Sequence, residues 1–246
     1  MPLALELAVQ DPAGMRIARE VGAARVELAQ ALALGGLTPS RATIELTREA
    51  AGESGPEVHV LVRARAGDFI YTDDEIALMA VDVRHALDAG AHGVVIGCQD
   101  ADGTLNRDGL ARLVDAAEGA PVTLHRVIDV TPDLFDSLRI AQGVGVRRVL
   151  SSGGASTAIE GIEALRSLVG EAHGAIEIMA GSGITASDVA AIADAGVDAV
   201  HFSAKRSVVS DSAVRMGSAA DGVGAYEITD RATALAVVAA LAPAVA

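Results

Sequence analysis

Four glycines in this chain share one pattern: each ends an alanine-rich segment and precedes, by four residues, a valine that opens a short apolar run. The glycines are Gly22, Gly90, Gly145 and Gly196, and the valines are Val26, Val94, Val149 and Val200. Glycine directly after a helix is the usual left-handed cap, because without a Cβ it reaches positive φ at little cost. The pattern therefore predicts a repeated helix–glycine–strand step, and an internal repeat constrains the fold more than any single motif does.

Four more apolar segments lie between these steps, so the chain alternates strand and helix throughout. The predicted strands are residues 3–7, 26–28, 58–63, 94–96, 121–125, 149–150, 176–180 and 200–202, and helical patterns follow, for example at 12–21, 73–89, 106–117, 133–142, 159–169 and 187–195. Such alternation favours parallel strands with right-handed crossovers. Eight units in 246 residues predict a (β/α)8 barrel. A doubly wound open sheet is the alternative, although no G-x-G-x-x-G opens the first helix.

Composition indicates a single domain over residues 1–246, with a mobile loop around 205–225 before the last helix. The net charge of −14 and the 2% of aromatic residues argue against a nucleic-acid partner. No apolar stretch is long enough to span a bilayer, so we expect no membrane partner. The single cysteine, Cys98, fits a reducing compartment, and we expect a cytoplasmic protein.

Polar side chains cluster at the carboxyl ends of the predicted strands, where a (β/α)8 barrel carries its site. Ionisable residues in apolar strands are costly to bury unless they are paired, so their concentration at one end favours a function. Structural ion pairs are the alternative, and we expect His59, early in the third strand, to be structural. The candidate site residues are Glu6, Glu27, Arg63, Arg65, Asp68, His125, Arg126, Asp129, Ser152, Gly153, Gly181, Gly183 and His201.

His125 is the candidate acid or base, because a histidine exchanges protons near neutral pH. Glu27 or Asp129 is its expected orienting partner, so these three residues are the predicted catalytic group. No local nucleophile elbow and no paired cysteine motif is present. A hard-metal site formed by Glu6, Glu27, His125 and His201 is geometrically possible, and the spacing leaves any metal ligands undetermined.

The remaining candidates point to a small anionic ligand. Three arginines, Arg63, Arg65 and Arg126, have the guanidinium geometry that binds a carboxylate or phosphate bidentately. Glycine-rich loops follow the sixth strand (Ser152, Gly153) and the seventh (Gly181, Gly183), and their backbone amides can cradle an anion. Plain tight turns remain an equal alternative for these loops, because no glycine follows the eighth strand.

Several ordered motifs resemble the CutC family. They are residues 25–28, residues 35–40, residues 63–71, residues 123–126 followed by Asp129, residues 178–183 and residues 200–203. The resemblance runs from about Glu6 to Ser203. It implies a cytoplasmic (β/α)8 barrel that is commonly homo-oligomeric and is named for copper homeostasis, with copper as the implied metal.

The same resemblance leaves two functions open. Many relatives carry cysteine near the ends of the first two strands, where this chain has Ala8 and Ala29, and Cu(I) prefers sulfur ligands. One function is therefore copper binding in copper homeostasis, which the family name implies. The other is an enzyme acting on a small anionic metabolite, which the polar residues at the strand ends favour.

Overall fold

The computed structural model describes residues 3–209 and 225–241, and within them eight parallel strands pair in chain order. They are β1 (Ala4–Val9), β2 (Arg25–Leu28), β3 (Glu57–Leu61), β4 (Gly93–Ile96), β5 (Val122–Leu124), β6 (Arg148–Ser151), β7 (Glu177–Gly181) and β8 (Ala199–Phe202). Pairing of Glu6 with His201 in register joins β1 to β8 and closes the sheet. The predicted (β/α)8 barrel is confirmed, and the open-sheet alternative is wrong because neither β1 nor β8 is left as an edge strand.

Helices connect the strands across the outside of the barrel. They are α1 (Pro12–Glu20), α2 (Arg41–Ala51), α3 (Asp73–Asp88), α4 (Arg107–Ala116), α5 (Leu134–Gly143), α6 (Ile162–Ala172), α7 (Val189–Ala193) and α8 (Arg231–Ala239). Short polar side chains cap most of the helix starts; in α3, for example, Thr72 and Glu75 form a reciprocal capping box. Two 3₁₀ turns, Leu32–Leu34 and Arg126–Val130, follow β2 and β5 at the carboxyl ends of the strands.

The four repeated glycine–valine steps have the conformation that the sequence predicts. Gly22, Gly90, Gly145 and Gly196 have φ values of 72°, 95°, 89° and 88°. The four valines that follow are fully buried in the main core cluster between the sheet and the helices. Each step therefore ends one helix, turns the chain and begins the next strand with an outward-facing apolar residue.

The alternate strand residues point into the barrel, and many of them are polar. Barrels of this type usually fill their interior with branched aliphatic side chains. Here the buried interior positions include Glu6, Arg25, Glu27, His59, Thr123 and Arg148. Only two small apolar clusters interrupt them in the described residues, one around Leu61 and one around Leu150. This polar interior continues directly into the mouth of the barrel.

Close pairing compensates for most of this buried charge. Arg25 donates to Glu6 at 2.9 Å, and Arg148 lies 2.5 Å from Glu177. His59, predicted to be structural, is fully buried and lies 3.1 Å from a carboxylate oxygen of Glu57. These pairs form the lower part of the barrel interior.

The segment around 205–225, predicted to be a mobile loop, has a strand at each of its two ends. Residues Lys205–Val209 form a strand, β9, and Ala225–Thr229 form β10, which pairs with it antiparallel. The aromatic and β-branched residues Val208, Tyr226 and Ile228 favour strand structure, which the small-residue composition of the whole segment concealed. Residues 210–224 lie outside the described residues.

No helix in residues 3–209 and 225–241 is both long and apolar enough to cross a membrane.

Candidate functional site

A cavity of about 360 Å³ opens at the carboxyl end of the barrel strands. Five of the predicted site residues line it: Glu27, Arg63, His125, Arg126 and His201. They come from β2, β8 and the segments that follow β3 and β5, so closure of the barrel brings together residues that are distant in sequence. Apolar and small residues complete the wall, among them Ala8, Leu61, Phe69, Leu150 and Ser203, and Lys205 adds a further charged side chain.

Arg63 contributes a buried positive charge to this cavity. Its Nη1 donates to the carbonyl oxygens of Leu34 and Gly36, each at 3.0 Å, and its Nη2 donates to the carbonyl of Gly67 at 2.7 Å. These partners are neutral, and no carboxylate in the described residues pairs with the guanidinium. Arg63 therefore ties two loops together at the mouth while its charge remains uncompensated. This differs from the predicted clamp, because the terminal nitrogens already have partners.

His125 is buried at the cavity wall, where its ring lies 4.7 Å from the ring of Phe69. Its Nδ1 accepts a hydrogen bond from the backbone N–H of Val127 at 3.1 Å. The proton of the neutral ring is therefore on Nε2, which is buried and has no partner in the described residues. Burial and the nearby charge of Arg63 lower the pKa of His125 to about 3.

The expected role of His125 changes accordingly. The structure places the Val127 amide, and not Glu27 or Asp129, against its Nδ1. With its pKa so far below neutral, the ring offers an N–H donor to the cavity rather than a group that exchanges protons at pH 7.

Asp129 occupies the glycine-rich loop after β6. Its carboxylate accepts from the hydroxyl of Ser151 at 2.6 Å, from the amide and hydroxyl of Ser152 at 2.9 and 3.0 Å, and from the amide of Gly154 at 3.1 Å. Arg126 adds a hydrogen bond at 2.8 Å. A cradle therefore exists at this loop, formed by the amides of Ser152 and Gly154, and the anion in it is the carboxylate of Asp129. The Gly153 amide, which was predicted to contribute, donates to the Ser151 hydroxyl instead. These contacts of Asp129 hold the loop in place.

Arg126 still faces the cavity after these contacts. Its Nε donates to Asp129 and its Nη2 to the hydroxyl of Ser152, while Nη1 has no partner among the described residues. Its side chain is 40% exposed. One nitrogen of this predicted clamp is therefore available to a ligand.

Glu27 and His201 line one side of the cavity, which we call its acidic side, and the fully buried Glu6 lies next to His201. One ligand atom from each lies within 4.8 Å of the other two. His201 donates from Nδ1 to Glu6 at 2.9 Å, and the other oxygen of Glu6 accepts from Arg25. Glu27 is only 7% exposed, yet its carboxylate has no hydrogen-bond partner in the part of the chain that the structure describes.

The electrostatics of these groups differ because their partners differ. Burial alone would raise the pKa of Glu6, but the hydrogen bond and charge of His201, together with Arg25, hold it well below its usual range. Burial raises the pKa of Glu27 to about 7, and the adjacent Glu6 adds to that rise. For His201, burial is outweighed by Glu6 and Glu27, which raise its pKa.

Other predicted residues lie away from the cavity. Arg65 binds Glu75 at 2.6 Å and Asp68 at 3.1 Å, and both Arg65 and Asp68 are exposed on the loop outside the mouth. A Cβ on Gly181 would come within 2.6 Å of Leu150, and one on Gly183 within 2.8 Å of Thr157. These glycines permit close packing and do not line the cavity, which favours the tight-turn alternative.

Sequence reasoning missed several residues of the site. Phe69 packs between His125 and the guanidinium of Arg63, which lies 5.2 Å from the ring centroid. Arg25 fixes Glu6 from below, and Lys205 reaches the mouth from β9, paired with Glu227 at 2.9 Å. The inward parity of Arg25, two residues before Glu27, was the only sequence signal for its position.

Comparison with known proteins agrees with this architecture. Residues 3–206 match the model of the CutC family. A family protein CutC from Sinorhizobium medicae is 45% identical over 181 residues, covering 74% of this chain and 72% of that protein. One from Xanthomonas campestris is 36% identical over 237 residues, covering 96% and 98%.

A solved structure matches as well. A CutC protein from Streptococcus agalactiae, provisionally described as a copper homeostasis protein, superimposes with a TM-score of 0.77 at 30% identity. The match covers 81% of this chain and 97% of that one. The motifs, the barrel and these matches lead to one assignment: the chain belongs to the CutC family.

Proposed function

We propose that the cavity at the barrel mouth binds a small carboxylate- or phosphate-bearing metabolite and that the protein is an enzyme acting on it. The observation that carries the proposal is the buried Arg63, whose donors reach only carbonyl oxygens and whose charge has no carboxylate partner in the described residues. A buried charge without a counterion is costly, and an anionic ligand would supply one.

Two further donors support an anion at the same place. The Nε2–H of His125 is buried without a partner in the described residues, and Arg126 lines the cavity with an Nη1 that has no partner there either. The low pKa of His125 keeps its ring neutral at pH 7, so the ring can donate a hydrogen bond without adding a charge. Together, two guanidinium groups and one N–H donor suit a carboxylate or phosphate group.

Ligand screening tests the binding proposal. Carboxylates and phosphates are screened by thermal shift, and each hit is measured by calorimetry on the wild type and on His125→Asn. Asparagine can still accept the Val127 amide but lacks the Nε2–H, so affinity should fall about 10- to 100-fold.

Arg65→Gln is the matched control. It removes an arginine from the loop that carries Arg63 but lies outside the cavity lining, and it should leave the affinity unchanged. The proposal fails if no anion binds, or if Arg65→Gln weakens binding as much as His125→Asn does.

Turnover is tested on the anions that bind. Glu27 faces the cavity with a carboxylate that has no partner among the described residues, so it stays a proposed catalytic residue. His125 stays one as well, with the role of a neutral hydrogen-bond donor. Products are followed by mass spectrometry for the wild type, Glu27→Gln and His125→Asn. Loss of turnover in the variants with retained folding would support the enzyme, whereas equal turnover would contradict these roles.

Copper handling is the second candidate, and it is favoured by the family and by the description of the Streptococcus agalactiae relative. Cu(I) prefers thiolate or thioether ligands. Cys98 is fully buried outside the barrel, and burial raises the pKa of its thiol to about 12. Met179 lies below the cavity with its sulfur 3.7 Å from Arg25 Nη2. These sulfur atoms do not fit a Cu(I) site at the mouth.

A Cu(I) titration against a competing chelator distinguishes the two functions. We expect no tight stoichiometric binding to the wild type. Tight binding that is lost in Cys98→Ser would establish copper handling and overturn this expectation.

A cytoplasmic, homo-oligomeric protein remains part of the proposal. The single cysteine of the chain supports a reducing compartment. Exposed apolar side chains, including Val209 and Tyr226 on the β9–β10 hairpin, are compatible with contacts between subunits. Light scattering coupled to size-exclusion chromatography would measure the oligomeric state, and a monomer at all concentrations would contradict it.

A further inference from the structure

We propose that Glu6, Glu27 and His201 form a binding site for one divalent metal cation at the acidic side of the cavity. The three residues come from β1, β2 and β8, which are neighbours in the closed barrel. A ligand atom from each lies within 4.8 Å of the other two, so a single ion can contact all three after small side-chain adjustments.

The orientation of His201 supports a metal ligand. Its Nδ1 donates to the buried carboxylate of Glu6, and this places the lone pair of the neutral ring on Nε2. In the described residues the ring makes its hydrogen bond through Nδ1 and none through Nε2, and His201 lines the cavity. Metal-bound histidines usually hold a carboxylate or carbonyl on the other ring nitrogen in this way.

Glu27 is the second, independent observation. The residue is only 7% exposed, it lines the cavity, and its carboxylate has no hydrogen-bond partner in the described part of the chain. The nearby Arg25 is directed at Glu6, at 2.9 Å, and not at Glu27. With Arg25 paired to Glu6, no arginine pairs with the Glu27 carboxylate in the described residues, and a metal cation would supply its counter-charge.

The donor set indicates the class of metal. Two carboxylates and one imidazole suit borderline or hard divalent ions such as Zn²⁺ and Mn²⁺, and they do not suit Cu(I). Three protein ligands leave coordination positions open, and Glu27 and His201 both face the cavity. Sites of this kind are typical of metals that bind a substrate or water as a further ligand.

The metal site shares its cavity with the proposed anion site but does not depend on it. Arg63, His125 and Arg126 provide the cationic and donor wall, and two of the proposed ligands, Glu27 and His201, line the acidic side. An anion approaching Glu27 would meet like charge, and a bound cation would remove that repulsion. This step rests on the proposed function: where that function holds, the bound cation assists binding of the anionic ligand.

The test uses the metal alone, with no anionic ligand present. Protein stripped with a chelator is titrated with Mn²⁺ and, in parallel, with Zn²⁺, and binding is followed by calorimetry and by electron paramagnetic resonance of Mn²⁺. We expect one ion per chain, and coupling of Mn²⁺ to one ¹⁴N nucleus that is absent in His201→Gln.

Matched variants locate the ion. Glu27→Gln should weaken binding more than about 10-fold, because it removes one charged ligand. Glu57→Gln changes a carboxylate on the neighbouring strand, outside the cluster, and should leave the affinity unchanged. Circular dichroism and thermal unfolding establish whether each variant is folded. If Glu27→Gln does not fold, loss of the ¹⁴N coupling in His201→Gln tests the site instead.

Two results would overturn the metal site: no retention of either ion, or equal Mn²⁺ affinity in Glu27→Gln and the wild type, which would place the ions on surface carboxylates. Arg126→Gln separates this proposal from the anion proposal. It removes a positive charge near His201 and should not weaken Mn²⁺ binding, so failure of anion binding does not count as failure of the metal site.

Discussion

Two buried carboxylates at the same end of the barrel, Asp129 and Glu27, have opposite surroundings. Asp129 accepts hydrogen bonds from two hydroxyls and two amides of the loop after β6 and from Arg126. Glu27 lies across the cavity and has no hydrogen-bond partner among the described residues. Both were candidates for catalysis on sequence grounds, yet only one of them has unused bonding capacity.

The difference teaches how to separate structure from function among buried charges. A carboxylate that already accepts several hydrogen bonds holds its own loop in place. Binding a ligand there would break those hydrogen bonds and leave their donors unpaired, which is unfavourable. A carboxylate buried without partners destabilises the fold, and such an arrangement persists where a ligand, proton or metal completes it. The first kind belongs to stability and the second to binding.

The largest expected effect is at Asp129, the carboxylate that accepts hydrogen bonds from the loop after β6. Asp129→Asn keeps the shape of the side chain but removes the negative charge that strengthens these hydrogen bonds. It also replaces one accepting oxygen by an NH2 group, which cannot accept from the N–H and O–H donors around it. We expect a loss of about 2–3 kcal/mol in the free energy of unfolding, because Arg126 is only partly buried and its share is screened. Urea denaturation measures it. Asp136→Asn, an exposed aspartate at the start of α5, is the control and should change stability little. Equal stability of the two variants would remove the contrast.

A smaller effect of opposite sign on the free energy of unfolding is expected at Glu27, the carboxylate without a hydrogen-bond partner in the described residues. In chelator-treated protein, Glu27→Gln replaces a charge that has no partner by a neutral group of the same shape. We expect the free energy of unfolding to rise by about 1 kcal/mol or to stay unchanged at pH 8. Denaturation under the same conditions as for Asp129→Asn gives the comparison. A loss as large as that of Asp129→Asn would show that Glu27 has structural partners after all.

The smallest effect is a spectroscopic one, at His125. Its pKa is lowered to about 3, so its ring resonances should stay constant between pH 8 and pH 5, when assigned with His125→Asn. Between the unfolded pKa near 6.5 and the folded pKa near 3, the unfolded state binds more protons. His125 therefore lowers stability as pH falls through that window, and it has no such effect above it. Titration of the ring near pH 6.5 would contradict the neutral donor.

Much of the fold could be predicted because it depends on local rules. The glycine caps fix the helix ends, and short apolar runs fix the strands. Five predicted residues line the cavity, because residues at the carboxyl ends of strands meet wherever a barrel closes. The strand at Lys205–Val209, which pairs with β10, was missed, since the composition of the whole segment outweighed its few strand-forming residues.

The site itself could be predicted only as a set of candidates. Arg65 and Asp68 have the right chemistry, but a local ion pair three residues apart holds them outside the mouth. Asp129 and the loop at Ser152 each looked like part of a ligand site, and in the structure they satisfy each other. Hydrogen-bond partners of this kind depend on distances between segments, which a spacing pattern does not contain.

The amino-acid sequence by itself determined the strand–helix repeat, its glycine caps and the parity that turns valines outward and polar residues inward, because these follow from backbone sterics and side-chain alternation. The tertiary structure decided which polar side chains are paired with protein groups and which remain available to a ligand. Closure of β1 against β8 brings Glu6 to His201, 195 residues away, and leaves Glu27 beside them without a partner. Only barrel closure and strand register set those distances, and they decide what the barrel mouth can bind.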